Sequence, residues 1–449
     1  MLSLLLAHAA PVQYKFPLPI WLYVCAGGAA VLLSAPAAAL AVSEGPARER
    51  RTRPLALPAW LRPLGLGMAT VLFVVALGGG LFARGDEAGE FFENPMTVLT
   101  WVDLWVGLGL LSFLVGYVWD FVSPLSAAVR TLDRTLARHG VEPLRYPERV
   151  GQWPAVALLL VWTWMELIWR DAKEPRTLAL IVVAYCIVTA IGSALFGAAT
   201  WLGNVELLTV LSRAFARFGV VELDPRDPDD WLGSPREERT VRLRPYGAGL
   251  RADPPFPAGG GAFVLTALAT VVFDGWSQTD RFGSFQQWFY ERWSFLAEHV
   301  DVLQTLSLAA VVAAFVVAYV LVARGRARDV APTLVPIAAV YFAAHYFAYL
   351  LIAGQYTLAV VVDPLARGWD PGGLGEYGIW KGIVPAALVW WVQVLVIVWG
   401  HVAAVFAAHR LAMRGTTPAR ALVAQAPLVL LMVGYTVAGL WVLAQQIRA

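Results

Sequence analysis

The chain has 449 residues; 59% are hydrophobic, only 15% are Asp, Glu, Lys or Arg, and the formal net charge is +2. A soluble domain carries about 25% charged residues, so this composition, with a mean hydropathy of +0.62, excludes an ordinary soluble enzyme. The near-neutral charge offers nothing to nucleic acid. The remaining class is an all-α, polytopic membrane helix bundle whose first partner is the lipid bilayer, and twenty Trp suit two aromatic belts.

A bilayer-crossing helix needs about 20 apolar residues. The opening MLSLLLAHAA is apolar but lacks a charged start, and reads as a short leader or its remnant. Ten apolar runs follow: 19–42, 64–83, 97–121, 152–170, 177–200, 258–276, 302–323, 331–354, 383–408 and 421–444. Arg clusters occupy four of the intervening loops, at 43–63, 122–150, 324–328 and 410–420. All four fall on one side if there are ten spans, which makes that side cytoplasmic and places both termini outside. The acidic GDEAGEFFENP at 85–95 then lies outside. Residues 212–257, with eight Arg and eight acids, form a cytoplasmic loop in which ERTVRLRPYGAGL alternates like a short hairpin. FGSFQQWFYERWSFLAEH, at 282–299, mixes aromatic and charged residues as an amphipathic helix in the interface plane does. Cys25 and Cys186 sit in apolar runs and suggest neither a disulfide nor a metal pair.

Ionisable groups inside spans are costly and mark function by default. The expected depths sort them into two groups. Glu166, Asp274 and His345, with Asp103, share the outer half; Asp120, Glu206, His401 and His409 share the inner half. In the eighth span, at about 100° per residue, Tyr341, His345, Tyr349 and Gln355 fall on one stripe. Unsatisfied polar groups are expensive in hydrocarbon, so the stripe is expected to face protein or a water-filled cavity. Two carboxylates and an imidazole at one depth suit a divalent metal ion, or a base and its orienter. Glu166, Asp274 and His345 are the metal candidates, with Tyr341 beside them as a catalytic donor. Simpler roles exist for each group. Arg170 lies four residues after Glu166, Asp120 and Asp274 sit near span ends, and a buried His can bond a neighbouring carbonyl. No soluble-enzyme motif is present: HExxH, GxSxG, a Walker loop and CxxC are all missing.

Several segments resemble a family of bacterial and archaeal membrane proteins called fenitrothion hydrolase. They are HAAPVQYKFPLPIWLY (8–23), TWVDLWVGLGLLSFLVGYVWDFVSPL (100–125), WTWMELIWR (162–170), ATVVFDGW (269–276), LVPIAAVYFAAHYFAYLLIAGQY (334–356), DPLARGWD (363–370), GHVAAVFAAHR (400–410) and LMVGYTVAGLWVLAQ (431–445). The resemblance runs along nearly the whole chain except 212–257. It implies a multi-pass protein of the cell membrane that hydrolyses an organophosphorus ester at its P–O aryl bond. The matched segments contain Glu166, Asp274, His345, His401 and His409.

Three readings follow. In the first, a metal held by Glu166, Asp274 and His345 activates water against a small lipophilic phosphoester entering from the outer leaflet, and Tyr341 or Tyr349 donates to the phosphoryl oxygen. In the second, the outer and inner polar groups are two vestibules of a proton-coupled transporter or channel. In the third, the chain is a non-catalytic subunit handling a metal or haem. The different expected depths of His345 and His401 argue against paired axial ligation.

Overall fold

The computed structural model describes residues 18–41, 52–83, 91–253, 255–323, 325–374, 379–413 and 417–446. The N-terminal ten residues and most of the acidic stretch 85–95 lie outside this set. The protein is an all-α, polytopic membrane helix bundle. Ten helices follow the ten apolar runs: α1 (Ile20–Ala41), α2 (Leu61–Phe82), α3 (Pro95–Leu114), α4 (Trp153–Leu167), α5 (Pro175–Phe196), α6 (Gly260–Ser277), α7 (Val300–Ala323), α8 (Leu334–Ala353), α9 (Ala386–Ala412) and α10 (Pro418–Gln446). Among the described residues, nine helices are long and apolar enough to cross a membrane.

The exception is α4. The sequence predicts a span over 152–170, but the helix stops at Leu167 and a 3-10 turn, Arg170–Lys173, follows. Fifteen residues rise only about 22 Å, short of a hydrocarbon core about 30 Å thick. The fifth run also departs from expectation. It breaks at Gly197, whose φ of +84° suits a residue without Cβ, and a separate helix, Ala198–Asn204, continues the chain.

The chain divides into two compact units. The first comprises residues 1–50, 261–349 and 381–449, and holds α1, α6, α7, α9, α10 and most of α8. Here α1 packs against α9 and α10, and α7 against α10. Tyr23 meets Trp390 and Trp391 edge-on, at ring-centroid distances of 5.3 and 5.8 Å. Helices α6 and α8 are buried over most of their length, whereas α7 is largely exposed, as an apolar helix facing lipid would be. Small residues let helices approach closely, as membrane bundles require. A Cβ at Gly400 on α9 would lie 2.4 Å from Val340 Cγ1 on α8. Gly400→Ala is therefore expected to cost about 1–3 kcal/mol by overpacking. Adding Val340→Ala should return part of the loss in denaturation of the purified protein in detergent.

The second unit comprises residues 51–260 and 350–380. Helix α2 packs against α5 and the start of α3, where Gly80 admits Ala179 and Met96. Residues Val98–Gly107 of α3 form a π-helix, a geometry that is rare beyond one turn and is frequent at functional sites. The 212–257 segment is more than a loop. Its first residues complete the helix Leu207–Ala216. It then supplies two strands, β2 (Val221–Asp224) and β3 (Thr240–Leu243), which join β1 (Arg53–Pro54) in an antiparallel sheet of order β1-β3-β2. The hairpin expected within ERTVRLRPYGAGL does not form: only Thr240–Leu243 of that stretch is a strand, its partners lie outside it, and Gly249–Ala252 is helical. Val221, Leu223, Trp231 and Val241 pack with Tyr117 and Ala216 beneath it. The amphipathic segment expected at 282–299 forms two helices, Asp280–Arg292 and Ser294–Glu298.

Candidate functional site

In the first unit, α6 and α8 bring Asp274 and His345 together. His345 Nε2 lies 2.8 Å from Asp274 Oδ2, and both side chains are 2% exposed. The Tyr346 hydroxyl donates to the same oxygen at 2.9 Å, and Gln278 Nε2 donates to Oδ1 at 2.7 Å. Two donors that can only give a proton to a carboxylate already converge on Asp274. The consistent assignment makes Asp274 the acceptor throughout and His345 Nε2 the protonated nitrogen. His345 Nδ1 is then the basic nitrogen. It is buried, and no hydrogen-bond partner reaches it among the described residues. Tyr341, one turn earlier, stacks near the imidazole with ring centroids 6.5 Å apart. Its hydroxyl is likewise buried without a partner among the described residues.

The sequence reading found Asp274, His345 and Tyr341 but missed Tyr346 and Gln278. Gln278 lies four residues after Asp274, so it sits over the same face of α6; that spacing was an available signal. Tyr346 is one residue off the chosen stripe. The stripe itself is incomplete. Tyr341, His345 and Tyr349 are buried, but α8 ends at Ala353, and Gln355 lies beyond the turn. There Gln355 bonds the Trp380 backbone through both ends of its amide, at 3.3 and 3.1 Å. It pins a loop and is not a member of the stripe.

The remaining carboxylates belong to the second unit. Glu166 is buried on α4, and because α4 ends at Leu167, Arg170 is not on a continuing helical turn. On the same helix, Trp162 packs against Trp101 of the π-helix with the rings tilted by 41° and their centroids 4.6 Å apart. Asp103 accepts from the Thr357 hydroxyl at 2.7 Å. Glu206 caps the helix Leu207–Ala216, accepting from the Leu208 and Thr209 N–H groups at 3.2 and 2.7 Å, and it is held by Tyr185 and Trp119. Its depth in the sequence suggested a functional group; the geometry makes it a capping residue. Asp120 accepts two hydrogen bonds from Arg213, at 3.0 and 2.7 Å. Arg213 also binds Asp229, which Arg130 meets as well. Asp120 is thereby a structural ion-pair partner.

The inner group's two histidines are on α9, in the first unit. His401 Nδ1 bonds the Ile397 carbonyl at 2.9 Å, and His409 Nδ1 meets Gln425 Nε2 at 3.0 Å. Among the described residues no three His, Cys, Asp or Glu gather into a set able to hold a metal ion. Of the expected trio, Asp274 and His345 meet, and Glu166 belongs to the other unit.

Comparison with protein-family models, curated proteins and solved structures finds no match.

Proposed function

We propose that the protein is a membrane-embedded hydrolase of lipophilic phosphoesters in which Asp274 and His345 form a general-base dyad. The observation that carries this reading is the single buried imidazole whose Nε2 is tied to a carboxylate and whose Nδ1 has no protein partner among the described residues. A carboxylate fixes the tautomer and favours the imidazolium that forms on proton uptake. In the proposed step Nδ1 accepts a proton from water as its oxygen attacks phosphorus. A P–O bond to water forms, the P–O aryl bond breaks, and the aryloxide leaves. The imidazolium then returns the proton to the leaving group or to water. The Tyr341 hydroxyl donates to the phosphoryl oxygen where negative charge develops. The ester arrives from the outer leaflet of the cell membrane, where a lipophilic triester partitions. Support also comes from the sequence resemblance to fenitrothion hydrolases, whose matched segments contain both members of the dyad.

In this reading the base is His345 itself, and among the described residues no three His, Cys, Asp or Glu gather to hold a metal ion. Turnover of a nitrophenyl dialkyl phosphotriester by the purified protein in lipid nanodiscs should exceed that of empty nanodiscs. It should also persist after exhaustive chelation. Activity lost to chelator and restored by one divalent ion would replace the dyad with a metal centre. Absence of turnover before any treatment would remove the hydrolase reading altogether.

A further inference from the structure

We infer that the first unit carries a proton-conducting file from the Asp274–His345 pair to the His409–Gln425 pair. The file starts at His345 and Tyr341, which the proposed hydrolysis also uses, and adds His401, His409 and Gln425, which it does not. Helices α8 and α9 are antiparallel and in contact: Gln393 Nε2 donates to the Ala344 carbonyl at 3.0 Å, and Gly400 receives Val340. The next residue on each helix is Tyr341 or His401. One step turns each side chain by about 100°. Because the helices are antiparallel, both turns carry the side chains to the same flank of the contact. On that flank the Tyr341 ring lies over Gly439 of α10, where a Cβ would come within 2.7 Å of Cε2. Tyr341 already stacks near His345 on its other side. Eight residues beyond His401, about 12 Å along α9, His409 reaches Gln425 of α10.

Each station carries a buried atom with no hydrogen-bond partner among the described residues. These are His345 Nδ1, the Tyr341 hydroxyl, His401 Nε2, His409 Nε2 and Gln425 Oε1. His401 is 1% exposed and His409 is 0% exposed. One such atom is unremarkable. An orphaned buried polar group costs about 1–3 kcal/mol, and polar side chains within a membrane bundle mark proton relays. Five in sequence along one flank of α8, α9 and α10 are the lining of a route for water and protons. At His401 and His409 Nδ1 is tied to the Ile397 carbonyl and the Gln425 amide, so each imidazole takes up a proton at the open Nε2 and gives it back there to the next water. Tyr341 passes a proton through its hydroxyl. Waters bridge the intervals between stations. One proton enters for each that leaves, so net transport needs only a gradient and a counter-ion.

The test uses the full chain reconstituted in liposomes enclosing a pH-sensitive dye. Potassium and valinomycin supply a potential, and no ester is present. Wild-type liposomes should acidify at least about tenfold faster than protein-free ones, and His401→Phe should remove most of that flux while leaving phosphotriester turnover intact. Tyr341→Phe keeps the ring on Gly439 and removes only the hydroxyl, so it decides the matter if His401→Phe folds poorly. It too should lose the flux. Wild-type flux equal to that of empty liposomes, or undiminished flux in both variants, would overturn the file.

Discussion

His345→Gln is expected to lower phosphotriester turnover by about 10²- to 10⁴-fold, the range that a positioned general base contributes, without unfolding the protein. The glutamine amide can still donate to Asp274 from near the former Nε2 position. Asp274 would also keep Tyr346 and Gln278 as donors, so no carboxylate is stranded in the bundle. What disappears is a nitrogen able to accept a proton. The loss should fall on kcat, because the dyad acts on water and not on binding of the ester. Asp274→Asn should give a loss of similar order for a different reason. It removes the charge that favours the imidazolium and frees the ring to take the other tautomer. Steady-state kinetics in nanodiscs, with gel filtration to verify folding, measure both. Turnover within about twofold of wild type in both variants would end the dyad reading.

Arg213→Ala should lower stability by about 3–5 kcal/mol, the usual consequence of removing one member of a buried ion-pair network. Arg213 binds Asp120 and Asp229 together, and the Asp120 side chain is 4% exposed. Removal leaves Asp120 buried without that partner, while Asp229 keeps Arg130. Burial alone would lower the Arg213 guanidinium's proton affinity, yet Asp120 and Asp229 hold it well above its ordinary range. Burial alone would raise the Asp229 carboxyl, and the hydrogen bonds and charges of Arg213 and Arg130 bring it below its ordinary value. A depressed carboxyl stabilises the fold above its unfolded pKa, about 4, and that contribution fades as pH falls through the lower folded value. The gap between wild type and Arg213→Ala should therefore narrow below about pH 4 in chemical denaturation. Arg213→Lys should recover only part of the loss, since one ammonium cannot reproduce a guanidinium fork shared by two carboxylates. Limited proteolysis should open the 212–257 segment first, because Arg213 and Asp229 lie in it.

The spans were legible because hydrophobic length is read directly from sequence, and the depth of a polar residue follows from its place in a span. Depth was enough to pair Asp274 with His345, which sit 71 residues apart. It did not separate a dyad from a cap or an ion pair. Glu206 and Asp120 share a depth with His401, but their partners, Tyr185, Trp119 and Arg213, are set by packing that hydropathy does not encode. The Val98–Gly107 π-helix was invisible because Thr100 and Asp103, the only polar side chains in an otherwise apolar run, are too few to mark a change of turn. The same uniformity hid Tyr346: α8 is buried over most of its length, so one polar stripe could not describe it. The 212–257 segment was underestimated because β1, its third strand, comes from residues 53–54.

The central claim is that Asp274 fixes the His345 imidazole with a proton on Nε2 and leaves Nδ1 open. Nitrogen-15 NMR of histidine-labelled protein in nanodiscs at neutral pH, with the His345 signal assigned by its loss in His345→Gln, tests it most directly. The account predicts one protonated nitrogen, Nε2, and one bare nitrogen, Nδ1, with that preference weakened in Asp274→Asn. A proton on Nδ1 in the wild-type protein, whether as the other tautomer or as an imidazolium, would contradict it.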